Sequence, residues 1–137
     1  MMNTNRKLQV VLVDDDKVMI MIHKMLAKKN NLSQSPLFFY GGKPFVDYLQ
    51  NASDDTDYLI LLDINMPEMD GWGVLESLKN DKLSKNISVV MVSSSVNIED
   101  KQKAKSYKHV IDYAEKPINY KTIENIKKLP DVAFHFS

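Results

Sequence analysis

The sequence predicts an α/β fold, a doubly wound five-stranded parallel sheet with helices on both faces. Two observations carry that reading. Short, β-branched-rich apolar runs, of the kind that strands buried on both faces require, alternate along the chain with stretches of helical period. Residues with chemical potential then cluster just after those runs, at the strand ends where open parallel sheets bind ligands. The 137 residues, 44% of them hydrophobic, suit one domain with a sizeable core.

The elements follow in order. Leu8–Val13 reads as a buried strand and stops at Asp14-Asp15-Asp16. Val18, Met21, Ile22, Met25 and Leu26 then recur at the spacing of an amphipathic helix ending near Lys28-Lys29-Asn30, with acids before its start and lysines at its end to suit the dipole. A weaker strand spans Ser35–Tyr40 and breaks at Gly41-Gly42; Pro44 opens a helix through Phe45, Val46, Tyr48 and Leu49. After a polar loop over Asn51–Asp57, Tyr58–Leu62 is a second strongly apolar strand, followed by Asp63 and a loop through Pro67 to Gly71.

Val74, Leu75 and Leu78 mark a third helix, and Ile87–Val92 a strand ending at Ser93-Ser94-Ser95. Ile98–Tyr107 is a polar, lysine-rich helix, Val110–Ala114 a short strand leading into Glu115-Lys116-Pro117, and Tyr120–Leu129 the last helix. The chain thus divides into an N-terminal tail (1–7), one domain (8–129) and a C-terminal tail (130–137), without repeats or linkers.

Composition narrows the function. Eighteen basic and eighteen acidic residues balance, so no global field gathers nucleic acid. The absence of cysteine excludes disulfides and thiolate metal sites and fits a cytoplasmic protein. The apolar runs fall far short of the roughly 20 residues of a membrane helix, so no membrane insertion is expected.

The strand ends carry three aspartates after the first strand, Asp63 after the third, Ser93 after the fourth and Lys116 after the fifth. Each has an ordinary explanation: helix capping for the first aspartates, an Asx turn for Asp63, a loop hydroxyl for Ser93, a surface lysine for Lys116. Their coincidence on one rim does not. Carboxylates about 5 Å apart repel by about 3 kcal/mol per pair at an effective dielectric near 20, which a divalent cation would relieve. An all-oxygen donor set without His or Cys suits Mg²⁺, Mn²⁺ or Ca²⁺ rather than zinc, and Mg²⁺ favours one or two carboxylates plus a phosphate oxygen.

Four blocks then become specific. Val11–Asp16, Leu61-Leu62-Asp63-Ile64-Asn65-Met66-Pro67-Glu68-Met69-Asp70-Gly71, Val89–Ser93 and Glu115-Lys116-Pro117 resemble those of response-regulator receiver domains, over about residues 8–129. The resemblance implies a flavodoxin-like fold and a two-component signalling role rather than an enzyme. It implies Asp63 as phosphoacceptor; Asp15 as a direct Mg²⁺ ligand, with Asp14 acting mostly through water and Asn65 through its carbonyl. It further implies Ser93 and Lys116 as phosphoryl-binding residues and Tyr113 as the aromatic switch. Ser93 stands where threonine is commoner in the family, and Asp16 where the family is variable.

The implied partners are a histidine kinase or histidine phosphotransfer protein upstream and a protein target downstream. Since few residues follow Leu129, a stand-alone regulator is expected, with a fragment of a longer regulator or hybrid kinase as the alternative. A less favoured one is an aspartyl-phosphate hydrolase, which would need a second acid where Asn65 stands. The histidines His23, His109 and His135 read as surface or packing residues, and methionines such as Met19, Met21 and Met25 as core filler.

Overall fold

In the computed structural model, described for residues 6–80, 82–83 and 86–136, strands and helices alternate as β1 (Lys7–Val13), α1 (Lys17–Lys29), β2 (Leu37–Phe39), α2 (Gly42–Leu49), β3 (Thr56–Asp63), α3 (Gly71–Ser77), β4 (Ile87–Ser93), α4 (Ile98–Lys105), β5 (Val110–Glu115) and α5 (Tyr120–Lys127), with a closing 3-10 turn at Ala133–Phe136. Residues 1–5 of the expected N-terminal tail and Ser137 of the C-terminal one lie outside the described residues. Every strand pairing is parallel, in the order β2-β1-β3-β4-β5. Strand order reverses between β1 and β3, so the crevice at their C-terminal ends is the switch point at which such sheets bind ligands.

Alternation along the central strands sorts side chains into two cores. Val11, Val13, Ile60 and Leu62 face α2, α3 and α4, packing on Phe45, Leu49, Val74 and Ala104. Val10, Leu12, Leu59 and Leu61 face α1 and α5, packing on Ile20, Ala27, Ile123 and Ile126. These strands are buried on both faces, which is why they read as unbroken apolar runs. Among the described residues no helix is long and apolar enough to cross a membrane.

Three features depart from the sequence reading. The first is the orientation of α1. Val18, Met21 and Met25, expected inside, are 61%, 65% and 60% exposed, while Ile20, His23 and Ala27 are buried. Two stripes of helical period lie side by side on this helix. The one with the small Ala27 allows close approach to the sheet, so the helix packs on it and leaves the methionines outside. The second is the stretch after Leu129, read as a tail. Val132 is buried, and His135 meets Asp57 at 2.8 Å, while Arg6 reaches the other oxygen of Asp57 at 2.7 Å.

The third is β5. Val89 pairs with Val110 but Val90 pairs with Asp112, an extra residue at Ile111. A bulge of this kind re-aims every side chain beyond it. Val110 and Tyr113 therefore face the same core, with Ile111 and Ala114 on the other. Smaller differences are boundary shifts: β2 is shorter than Ser35–Tyr40 because it starts after Pro36, and α2 begins at Gly42 rather than Pro44.

Candidate functional site

The site is built where β1 and β3 end. Asp14 follows β1, its amide donating to the Phe39 carbonyl of β2 at 3.1 Å. Its Oδ1 accepts the Asp16 amide at 2.9 Å, and the residue is 4% exposed. Asp16 serves the helix instead. Its Oδ1 accepts the amides of Val18 and Met19, making it the N-cap of α1. Asp15, between them, is exposed. One carboxylate oxygen each of Asp14, Asp15 and Asp63 lie within 4.8 Å of one another.

Asp63 closes β3 at 2% exposure. The loop beyond it turns back so tightly that Gly71 donates its amide to the Ile64 carbonyl at 2.8 Å. A Cβ on Gly71 would stand 2.6 Å from the Asp63 carbonyl oxygen and 2.9 Å from the Ile64 Cα, a collision with backbone that cannot yield cheaply. The glycine of the motif is thus a packing requirement of the loop that frames the site. Asp70, just before it, caps α3 by accepting the Gly73 amide at 2.8 Å. Asn65 is exposed, two residues beyond Asp63.

Lys116, after β5, reaches across the sheet to Asp14 Oδ2 at 3.0 Å and Asp63 Oδ1 at 3.1 Å. The contact with Asp14 was not anticipated from the sequence. Burial alone would lower the pKa of this ammonium; the hydrogen bonds and charges of Asp14 and Asp63 outweigh it, and the pKa is raised. Asp63 is pushed up to about 6, by burial first and the Asp14 charge second, against the pull of Lys116 and the Asn65 amide. One cation thus serves two buried carboxylates. Asp63 Oδ2 is buried and has no hydrogen-bond partner. An acceptor of this kind is costly unless something positive completes it. An all-oxygen set of three carboxylates with one unmet buried oxygen fits a hard divalent cation such as Mg²⁺.

Ser93 ends β4, 2% exposed, but its hydroxyl is engaged locally: it donates to the Ser95 carbonyl at 2.9 Å and accepts the Ser95 amide at 3.3 Å. The Tyr113 hydroxyl is buried, on the side the β5 bulge selects. Burial raises its pKa.

Sequence reasoning gave His23 no role beyond packing or surface. It is 3% exposed, and with Asp14, Asp63 and Ser93 makes up the buried polar residues among those described. Its Nε2 accepts the Ile118 amide at 3.1 Å. Burial pulls its pKa down to about 4, with Asp14 raising it and Lys116 lowering it. The one signal in the sequence was a histidine amid an apolar helix, which does not announce which way it faces.

Comparison with known proteins came to the same place. Residues 10–128 match the family described as "Response regulator receiver domain". The chain is 27% identical over 126 residues to the probable methanogenesis regulatory protein FilR2 of Methanothrix harundinacea, covering 87% of this chain and 81% of that one. It is 31% identical over 121 residues to the chemotaxis protein CheV1 of Helicobacter pylori, spanning 87% of this chain but only 36% of that protein. Among solved structures, a response regulator receiver protein from Dyadobacter fermentans superposes with a TM-score of 0.78 at 26% identity, covering 88% of this chain and 95% of that one.

Proposed function

The chain belongs to the response regulator receiver family, and from that premise we propose that it is a phosphorylation switch in which Asp63 takes a phosphoryl group from a histidine kinase or histidine phosphotransfer protein. The observation that carries this reading is the unpartnered, buried Asp63 Oδ2 beside Asp14 and Asp15, with Lys116 on the other oxygen. The Asp63 carboxylate attacks phosphorus in line; the P–N bond to the donor imidazole breaks, the imidazole leaves with the bonding pair and takes up a proton, and Asp63 becomes an acyl phosphate. Lys116, freed from one carboxylate oxygen, offsets charge on the transferred group. Asp15, Asp63 and the Asn65 carbonyl, with Asp14 through water, would hold Mg²⁺, which would supply further neutralisation there. The exposed Val18, Met21 and Met25 stripe begins three residues beyond Asp15, an apolar surface beside the rim that suits a docking donor. The test is incubation with acetyl phosphate and Mg²⁺: a mass gain of one phosphoryl group mapping to Asp63 supports the reading, and no gain overturns it.

The metal is tested separately. Mg²⁺ at ten times its Kd should stabilise the fold by about 1.4 kcal/mol through mass action. In Asp15→Ala that shift in melting midpoint is expected to vanish, while the metal-free variant melts no lower than the parent because a like charge has gone. A Mg²⁺-dependent shift of undiminished size in Asp15→Ala would remove Asp15 from the ligand set.

The outgoing signal is proposed to pass through Ser93. To reach a phosphoryl oxygen its hydroxyl must leave the Ser95 carbonyl, giving up about 1 kcal/mol of local hydrogen bonding against a charge-assisted bond that is stronger. Ser94–Val96 move with it, and the buried Tyr113 hydroxyl gains or loses a neighbour. The exposed Val96, Ile98 and Tyr120 mark the face around α4, β5 and α5 that a downstream target would read. Ser93→Ala should still label at Asp63. Amide exchange over residues 93–118, compared with and without beryllofluoride, should change in the parent and change much less in the variant. Equal responses would show that the hydroxyl is not the trigger.

A further inference from the structure

The contact between His23 and Ile118 joins helix α1 to the turn that carries Lys116, across 95 residues of sequence. Lys116 must hold the tip of a long, flexible side chain within 3.1 Å of two carboxylates, so its backbone needs fixing on both sides. Upstream, the Lys116 amide donates to the Ser93 carbonyl at 2.9 Å. Pro117 has no N–H to offer. The next amide is that of Ile118, and its partner is His23 Nε2 at 3.1 Å. A backbone amide can only donate, so Nε2 presents its lone pair and the ring's one proton sits on Nδ1.

Packing alone does not call for this residue. Ile20 and Ala27 of α1 belong to one apolar cluster with Ile118 and Ile123, in which an aliphatic side chain could stand without burying an imidazole. We propose that His23 is a positioning residue for phosphoryl transfer: by accepting the Ile118 amide it fixes the turn between β5 and α5, and so holds the Lys116 ammonium between Asp14 and Asp63. The inference rests on the reading of Asp63 as phosphoacceptor and adds to it a residue that bonds the chain two positions beyond Lys116. His23 touches neither donor nor metal; it acts through Lys116.

Glutamine and asparagine separate this role from general polarity. The Oε1 of His23→Gln can reach the place of Nε2, whereas the oxygen of His23→Asn is one methylene short. His23→Met fills the space without an acceptor and serves if the asparagine variant folds poorly. Each full-length variant is labelled with acetyl phosphate and Mg²⁺, well below its melting midpoint, beside the parent and Asp63→Asn. His23→Gln is expected to label within about threefold of the parent. His23→Asn and His23→Met are expected to fall roughly tenfold, as loss of fixed geometry at a reacting centre does, with the Mg²⁺-dependent melting shift retained. In a Lys116→Met background the same substitutions should change the residual rate little, because what His23 positions has gone.

Parent-like labelling in the acceptor-free variants overturns the proposal, as does an equal fall in the glutamine variant or a loss that persists in full without Lys116. Labelling of the parent, and its absence in Asp63→Asn, judges the phosphoacceptor reading independently of these comparisons.

Discussion

Asp63→Asn should not be labelled by acetyl phosphate under conditions in which the parent protein gains a phosphoryl group. The amide keeps the shape of the carboxylate and removes the nucleophile, so the loss should be complete rather than partial. The same substitution is expected to stabilise the metal-free protein. The Asp63 carboxyl is pushed up to about 6 by burial and the Asp14 charge, so the folded state binds this proton more tightly than the unfolded chain. The stability the carboxyl contributes is therefore present at pH below its ordinary value of 3.8 and lost as pH rises to about 6.

The difference in melting midpoint between Asp63→Asn and the parent should accordingly open between those two pH values and stay level above them. Each kcal/mol gained corresponds to about 3–5 °C for a domain of this size. Mg²⁺ should narrow the gap, because it stabilises the parent's carboxylates and has less to bind in the variant. Two outcomes would count against the assignment: labelling of Asp63→Asn at the parental site, or a pH-independent difference in midpoint.

How much of this could be read beforehand depends on whether the cause was local. The strands of the central sheet were legible because burial on both faces leaves a direct trace, an unbroken apolar run such as Val10–Val13 or Leu59–Leu62. The chemical residues were legible because they follow those runs immediately. The facing of α1 was not: Val18, Met21 and Met25 have the period of a buried stripe, and only the sheet decides which of two adjacent stripes fits against it. The β5 bulge that turns Tyr113 inward leaves no mark in the sequence, since nothing in Val110–Glu115 differs from an ordinary short strand. The bond from His23 to Ile118 and the reach of Lys116 to Asp14 are products of tertiary closure across 95 and 102 residues, which no local pattern encodes.

That shared lysine sets the second large effect. Removing Lys116 leaves Asp14 and Asp63, 4% and 2% exposed, facing each other with no cation among the described residues. Stripping one partner from a buried ion pair costs about 3–5 kcal/mol, although Asp63 can blunt that loss by holding its proton to still higher pH. Lys116→Met, of similar length and without charge, is therefore expected to melt well below the parent when metal-free.

The pH dependence has a defined sign. The Lys116 pKa is raised in the folded protein, so the stability it contributes is intact below the ordinary lysine value of 10.5 and disappears as pH climbs through the folded one. The gap between parent and Lys116→Met should close in that alkaline range. Labelling with acetyl phosphate should fall about 100-fold or more, the scale of removing one preorganised charge from a transfer site, and recover partly as pH rises and Asp63 ionises. Mg²⁺ should shift the melting midpoint of Lys116→Met further than that of the parent, because the cation then relieves repulsion that Lys116 had been holding in check. If Mg²⁺ stabilised the two proteins equally, and Lys116→Met labelled at the parental rate, the ammonium would be a bystander to both the carboxylates and the transfer.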